Sequence, residues 1–262
     1  MKTIAAIAIA ALAAAALAQE AANPPAPASA RKGSRGIRGN PAAGFVSRRL
    51  SEGASLRFLD LRAEATDLQP AIARMPQSFG IAIDVVKADK GADCAMKAAK
   101  KALEDKEVGV AIAIANEGAD APALVVCPED RMAVINADRL ADASAEVFAK
   151  RLTQEMWRAV AFVMGGYEVD YPCVMKTVTG VADLDANPLQ MTCPPVSGHV
   201  ANNAGKFGVA KVQCVPYFVA LRQGWAPPPA NDAQREEAAR WEKMKAAKEA
   251  AEKAGKAAAE PK

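Results

Sequence analysis

The sequence predicts an α/β (α+β) chain, with a mixed, mostly parallel sheet, helices packed on it and a long central helix. Three observations predict this class. Strand-like and helix-like segments alternate from residue 55 onward. Val108–Ala115 is an unbroken apolar run closed by Asn116-Glu117-Gly118, the pattern of a strand covered on both faces. After a pair of short strands comes an apolar-striped stretch over 142–164, long enough for a central helix.

Taken in order, residues 55–61 alternate well enough for a strand, and 65–75 follow as a helical segment disturbed by Pro70. Residues 81–86 read as a second strand. The next helix is expected over 92–103, where Ala95, Met96, Ala99 and Leu103 recur at helical spacing before a basic last turn. The third strand is the apolar run itself. Residues 123–126 and 132–135 are two more strands, joined by the turn Cys127-Pro128-Glu129-Asp130.

The ends differ from this middle. Residues 1–18 carry Lys2, an uncharged apolar run and a closing Ala16-Leu17-Ala18, the layout of a cleavable signal peptide. The run is shorter than the roughly 20 apolar residues of a membrane span, so the mature chain is expected to be secreted or periplasmic and not membrane-spanning. Residues 19–44 read as a disordered basic linker rich in Pro and Ala, with Arg31, Lys32, Arg35 and Arg38. A formal charge of +3 over 262 residues implies no nucleic-acid partner. The apolar residues concentrate in a single expected domain, 45–229. Beyond it, 230–262 form an Ala/Lys/Glu-rich helical or disordered tail, opened by a capping box at Asn231 and Gln234. Trp241 and Met244 can dock its first turns, and a protein partner is the alternative use of this tail.

Within the long helix Phe148, Leu152, Met156, Ala159, Phe162 and Val163 share one face, and Glu155 falls among them. An acid on an apolar stripe needs a counter-charge. Arg151 and Arg158 stand four residues before and three after it, so a structural ion pair of Glu155 with either arginine is expected. Glu155 as a catalytic base is the weaker reading, because that role needs a positioned partner.

The stretch from residue 135 to 195 resembles the archaemetzincin family, zincin-fold peptidases with the pattern HExxHxxGxxHC, then CxM, then a later CxxC. With Gly165 on the motif glycine, Arg158, Ala159 and Phe162 stand where the first His, the Glu and the second His belong. Reading Gln154 to Arg158 as QExxR keeps Glu155 but leaves the glycine four residues too far along. Cys173-Val174-Met175 matches CxM, and 177–193 resembles the spacer to the third cysteine; Glu168 and Val196 stand for the other two. The resemblance implies a zincin-like domain that has lost its chemistry, a pseudoenzyme with no metal and no cofactor, and a Cys173–Cys193 disulfide in place of the lost metal cluster. The chain's single histidine, His199, agrees with that loss, since a catalytic zinc takes three protein ligands.

The five cysteines include no CxxC pair, and their odd number leaves one thiol over in an oxidising compartment. A structural zinc on Cys173, Cys193, Cys214 and His199 is weaker than disulfides at these spacings. Ser197, His199 and Asp185 lack a nucleophile elbow, and Asp183, Asp185 and Asn187 read as an Asx-rich turn, since Pro188 takes the glycine position of a calcium loop. The expected function is a non-enzymatic binding or structural module of unknown partner; the alternative is an atypical peptidase or hydrolase using Glu155 and the turn through Cys173.

Overall fold

A two-stranded ribbon and a five-stranded mixed sheet organise the chain from Asn40 onward. The structure, a computed structural model, describes residues 39–63, 67–89, 94–187 and 192–259. The expected signal peptide, 1–18, and most of the expected linker lie outside the described residues. In chain order the first elements are β1 (Phe45–Arg49), β2 (Ser55–Asp60), α1 (Gln69–Ile72), α2 (Met75–Phe79), β3 (Ile83–Lys87), α3 (Ala95–Ala102) and β4 (Val108–Ala115). They are followed by β5 (Leu124–Cys127), β6 (Met132–Asn136), α4 (Ala145–Val163), α5 (Val181–Ala186), α6 (Pro194–Asn203), β7 (Val212–Pro216), α7 (Tyr217–Arg222) and α8 (Asp232–Ala259).

The larger sheet runs β3-β2-β4-β6-β5, parallel throughout except where β5 joins β6 antiparallel. The mixed, mostly parallel architecture is therefore the observed one. Strand β4 is buried along its whole length. Its Val110, Ile112 and Ile114 enter the core on the α4 face, while Ala111, Ala113 and Ala115 meet α3 on the other. Small residues on one side let α3 come close, and large ones on the other fill the space beneath α4.

Helix α4 is capped by Ser144, whose Oγ accepts from the Val147 N–H at 3.4 Å. It ends where Gly165 takes φ +80° and the Gly166 N–H reaches back to the Ala161 carbonyl at 2.7 Å. A Cβ on Gly166 would stand 2.6 Å from that carbonyl oxygen, so this turn demands glycine.

Several elements depart from the sequence reading. The expected helix over 65–75 is two short helices, with Pro70 and Pro76 each in a first turn, where a missing N–H costs nothing. The expected Asx-rich turn at Asp183 to Asn187 contains helix α5, with Asp183 Oδ2 accepting from the Thr179 N–H at 2.7 Å. Ribbon β1–β7 and helices α6 and α7 had no expectation. Residues 40–44, assigned to the linker, belong to the body: a 3-10 turn, Pro41–Ala43, is capped by Asn40.

Residues 231–241, assigned to the tail, also join the body. The Gln234 side chain is buried and donates to the Ala43 carbonyl at 2.9 Å, and Glu237 accepts from the Asn40 N–H at 2.6 Å. Asn231 Oδ1 caps the Gln234 N–H at 2.9 Å, while Gln234 Oε1 takes the Ala230 N–H one residue before the expected partner. Trp241 meets Phe218 edge-on at 5.9 Å.

Trp157, in α4, is the largest fully buried side chain and lies 5.2 Å from Phe79. Trp157→Ala should cost about 3–5 kcal/mol by urea unfolding with little change in slope. A truncation after Met244, beyond the docked turns, should stay within about 0.5 kcal/mol of the full chain.

Candidate functional site at the free edge of the sheet

The site is built by α4, by β5 and by the loop that returns beneath them through residues 168–181. Leaning of helical side chains toward the N-terminus decides which arginine meets Glu155. Arg158 leans back onto it, with Nε 3.5 Å from Oε1 and both side chains almost wholly buried. Arg151 leans the same way, and so away from Glu155. It grips Asp185 through Nε at 2.8 Å and Nη2 at 2.7 Å, and reaches Asp142 at 3.1 Å. Of the two expected partners of Glu155, then, only Arg158 is in place; Arg151 ties α5 to the start of α4.

The Arg158 guanidinium is held from three sides. Nη1 donates to the carbonyls of Val174 at 3.1 Å and Lys176 at 2.8 Å, Nη2 lies 3.6 Å from Glu168 Oε1, and the group sits 5.2 Å from the Phe162 ring centre. The contact with Glu155 is loose by comparison. Arg158 Nε and Glu155 Oε2 are both buried without a hydrogen-bond partner among the described residues. Desolvation raises the Glu155 pKa above its ordinary 4.5, against the pull of the Arg158 charge.

Counting on from Gly165 corrects one position in the motif comparison. The third histidine of HExxHxxGxxH corresponds to Glu168, and the cysteine after it to Val169. The motif's three imidazole positions thus carry Arg158, Phe162 and Glu168, and Arg158 meets each of the other two. A fixed cation, its aromatic cover and a carboxylate occupy positions where the motif has ligands. Among the described residues no three His, Cys, Asp or Glu side chains converge as metal donors. The signal for Glu168 was present in the spacing and was misread by one residue.

Over this trio opens a cleft of about 430 Å³, bounded by Leu124, Val126, Arg139, Phe162, Thr179 and Val181 among others. One wall is β5. In its ladder with β6 the Asn136 N–H donates to the Ala123 carbonyl at 2.9 Å, so Ala123, Val125 and Cys127 face the partner strand. The main-chain groups of Leu124 and Val126 point outward along the cleft. As β5 ends the sheet, they have no strand partner among the described residues.

The other singled-out residues are scattered. Cys173 is buried below the turn, and Cys193 is the N-cap residue of α6; the two thiols are in hydrogen-bond contact and unbonded, and burial raises the Cys173 pKa. Cys214 lies on β7 with its pKa raised by burial. His199 is exposed and edge-on to Tyr167 at 5.9 Å. The Asp185 carboxylate is taken by Arg151, and the Ser197 hydroxyl pairs with Thr192.

No family model matches the sequence, and no curated protein matches it. Solved structures do. An archaemetzincin from Methanopyrus kandleri is similar at 16% identity and TM-score 0.45, over 60% of this chain and 99% of that one. An archaemetzincin from Archaeoglobus fulgidus, complexed with malonate, is similar at 16% identity and TM-score 0.41, over 55% and 99%. A zinc-dependent peptidase from Methanocorpusculum labreanum is similar at 12% identity and TM-score 0.43, again over 55% and 99%.

Because Glu155 keeps its proton to higher pH when folded, the folded chain binds more protons than the unfolded one above pH 4.5, and stability falls as pH rises through that window. Glu155→Gln should remove this decline, so its stability in urea unfolding relative to the wild type should rise from pH 4.5 upward. Arg158→Met should cost about 3 kcal/mol at pH 7, because it leaves a buried carboxylate without its counter-charge.

Proposed function

We propose that residues 40–241 form an exported, non-catalytic binding module that takes an extended peptide against the free edge of β5. The observation that carries this reading is the outward main chain of Leu124 and Val126, aligned along a cleft floored by Glu155, Arg158 and Glu168. An added strand gains main-chain hydrogen bonds whatever its sequence, and the cleft's side chains then select among strands. Arg158, its guanidinium already held by two carbonyls, suits a fixed floor better than proton transfer. Glu155, at the bottom of the cleft, is almost wholly buried beside that guanidinium.

Tryptic casein peptides offered to the mature protein should include binders that shift the amide resonances of Leu124 and Val126. Val126→Pro removes one outward donor while sparing the ladder with β6, since proline is tolerated on the open side of an edge strand. It should weaken retention at least tenfold. No retained peptide, or unchanged retention by a folded Val126→Pro protein, would overturn the reading. Cleavage of the peptides that Glu155→Gln abolishes would move the function to an atypical peptidase.

Export is supported by the layout of residues 1–18, and it sets the state of the thiols. In an oxidising compartment Cys173 and Cys193 form a disulfide that staples the returning loop to α6, worth about 3 kcal/mol for a loop of this size. Non-reducing peptide mapping of exported protein should recover the two cysteines in one linked species; two free thiols there would remove the staple.

A further inference from the structure

The sheet reverses its direction of growth at β2, because β3 lies on one side of it and β4 on the other. In open α/β sheets the crevice beyond the carboxyl ends of the strands at such a point is where ligands settle. A second cleft, of about 680 Å³, opens there, distinct from the one beside β5. It is bounded by Arg62 just past β2, Asn116 just past β4, Asp138 past β6, and Asp142, Ala145 and Phe148 around the start of α4.

Arg62 has few reasons to be buried except its partners. Its side chain is 3% exposed, with Nε 2.8 Å and Nη2 3.2 Å from the two oxygens of Asp60, itself buried. Asp60 also lies 3.4 Å from Lys87 Nζ, which donates to the Arg62 carbonyl. This grip uses one edge of the guanidinium fork. The end edge is left open, and Nη1 has no hydrogen-bond partner among the described residues. The guanidinium carbon lies 5.9 Å from the centre of the Phe148 ring, which places the fork against the first turns of α4.

The start of α4 adds donors. Ser144 satisfies the Val147 N–H, and the Phe148 N–H bonds the Ser144 carbonyl, while the N–H groups of Ala145 and Glu146, at the start of a 19-residue helix, have no partner among the described residues. The two acids that line the cleft are already committed. Asp138 accepts from the Asn116 side chain at 2.6 Å and from the Gly118 N–H at 2.7 Å; Asp142 accepts from the Ser144 N–H at 2.9 Å and faces Arg151 at 3.1 Å. Donors are in surplus at this end of the cleft, and acceptors are spent.

We propose that this cleft binds a small organic anion, a carboxylate or phosphate group on an apolar, ring-sized body. Arg62 and the free N–H groups of α4 take the anionic group, and Phe148 takes the body. The end edge of a guanidinium presents parallel N–H groups that match two oxygens of either group, and a helix start favours negative charge.

Titration of the full chain with phenyl phosphate, benzoate and inorganic phosphate tests this. One of the two aromatic anions should bind one to one and at least tenfold more tightly than inorganic phosphate; benzoate ahead assigns a carboxylate, phenyl phosphate ahead a phosphate ester. Arg62→Lys should weaken binding at least tenfold. Ala145→Pro is the gentler variant, because proline suits the first position of a helix and removes only an N–H that faces the ligand; it should weaken binding severalfold. Val126→Pro, at the other cleft, should leave these affinities alone. No binding of either aromatic anion, equal binding of inorganic phosphate, or wild-type affinity in folded Arg62→Lys and Ala145→Pro proteins would overturn the proposal.

Discussion

Strand β4 must be dry on both faces, and because its side chains alternate between Ile or Val and Ala, the two helical layers close on it at different depths. Everything at the sheet's margins follows from that arrangement. The deep side needs a long apolar helix, and α4 supplies it; the shallow side takes the short α3. Once α4 lies across the β4–β6 side, its beginning projects past the carboxyl ends of the parallel strands and its flank runs beside the sheet's last strand. The two clefts are where this helix leaves the sheet incompletely covered, one by its start and one by its flank.

How much of this was legible depends on the length of sequence each feature needs. Strands β2, β4, β5 and β6 and helix α4 declare themselves within a few residues, by unbroken or alternating apolar character. Strands β1 and β7 are different: Phe45–Arg49 carries two arginines and is mostly exposed, and its partner lies some 165 residues away, so no local pattern marks the pair. Helices α5 and α6 begin on an acid-rich stretch and on two prolines, which read as turns unless the cap is visible.

The polar site was readable in part. Spacing alone put both arginines within reach of Glu155, and only the N-terminal lean of helical side chains separates them, sending Arg158 to the glutamate and Arg151 to residues outside the helix. Glu168 could have been found by counting from Gly165. The Asp60–Arg62 pair could not, since two residues apart in a strand normally implies one shared face and no special bond; the chain's exit from β2 turns the arginine back over its neighbour.

The contacts at the two ends of the body have a consequence for how the chain is completed. Asn40 is bonded to Glu237, 197 residues on, and β1 is paired along its whole length with β7. The first residues of the body therefore have no settled place until almost the last have arrived. Closing a loop of that size costs entropy that nearby contacts cannot offset early, so the central sheet can assemble ahead of its own rim. A nascent chain would stay unsealed until α8 emerges, and any partial product ending before Val212 would expose an unpaired strand at its start.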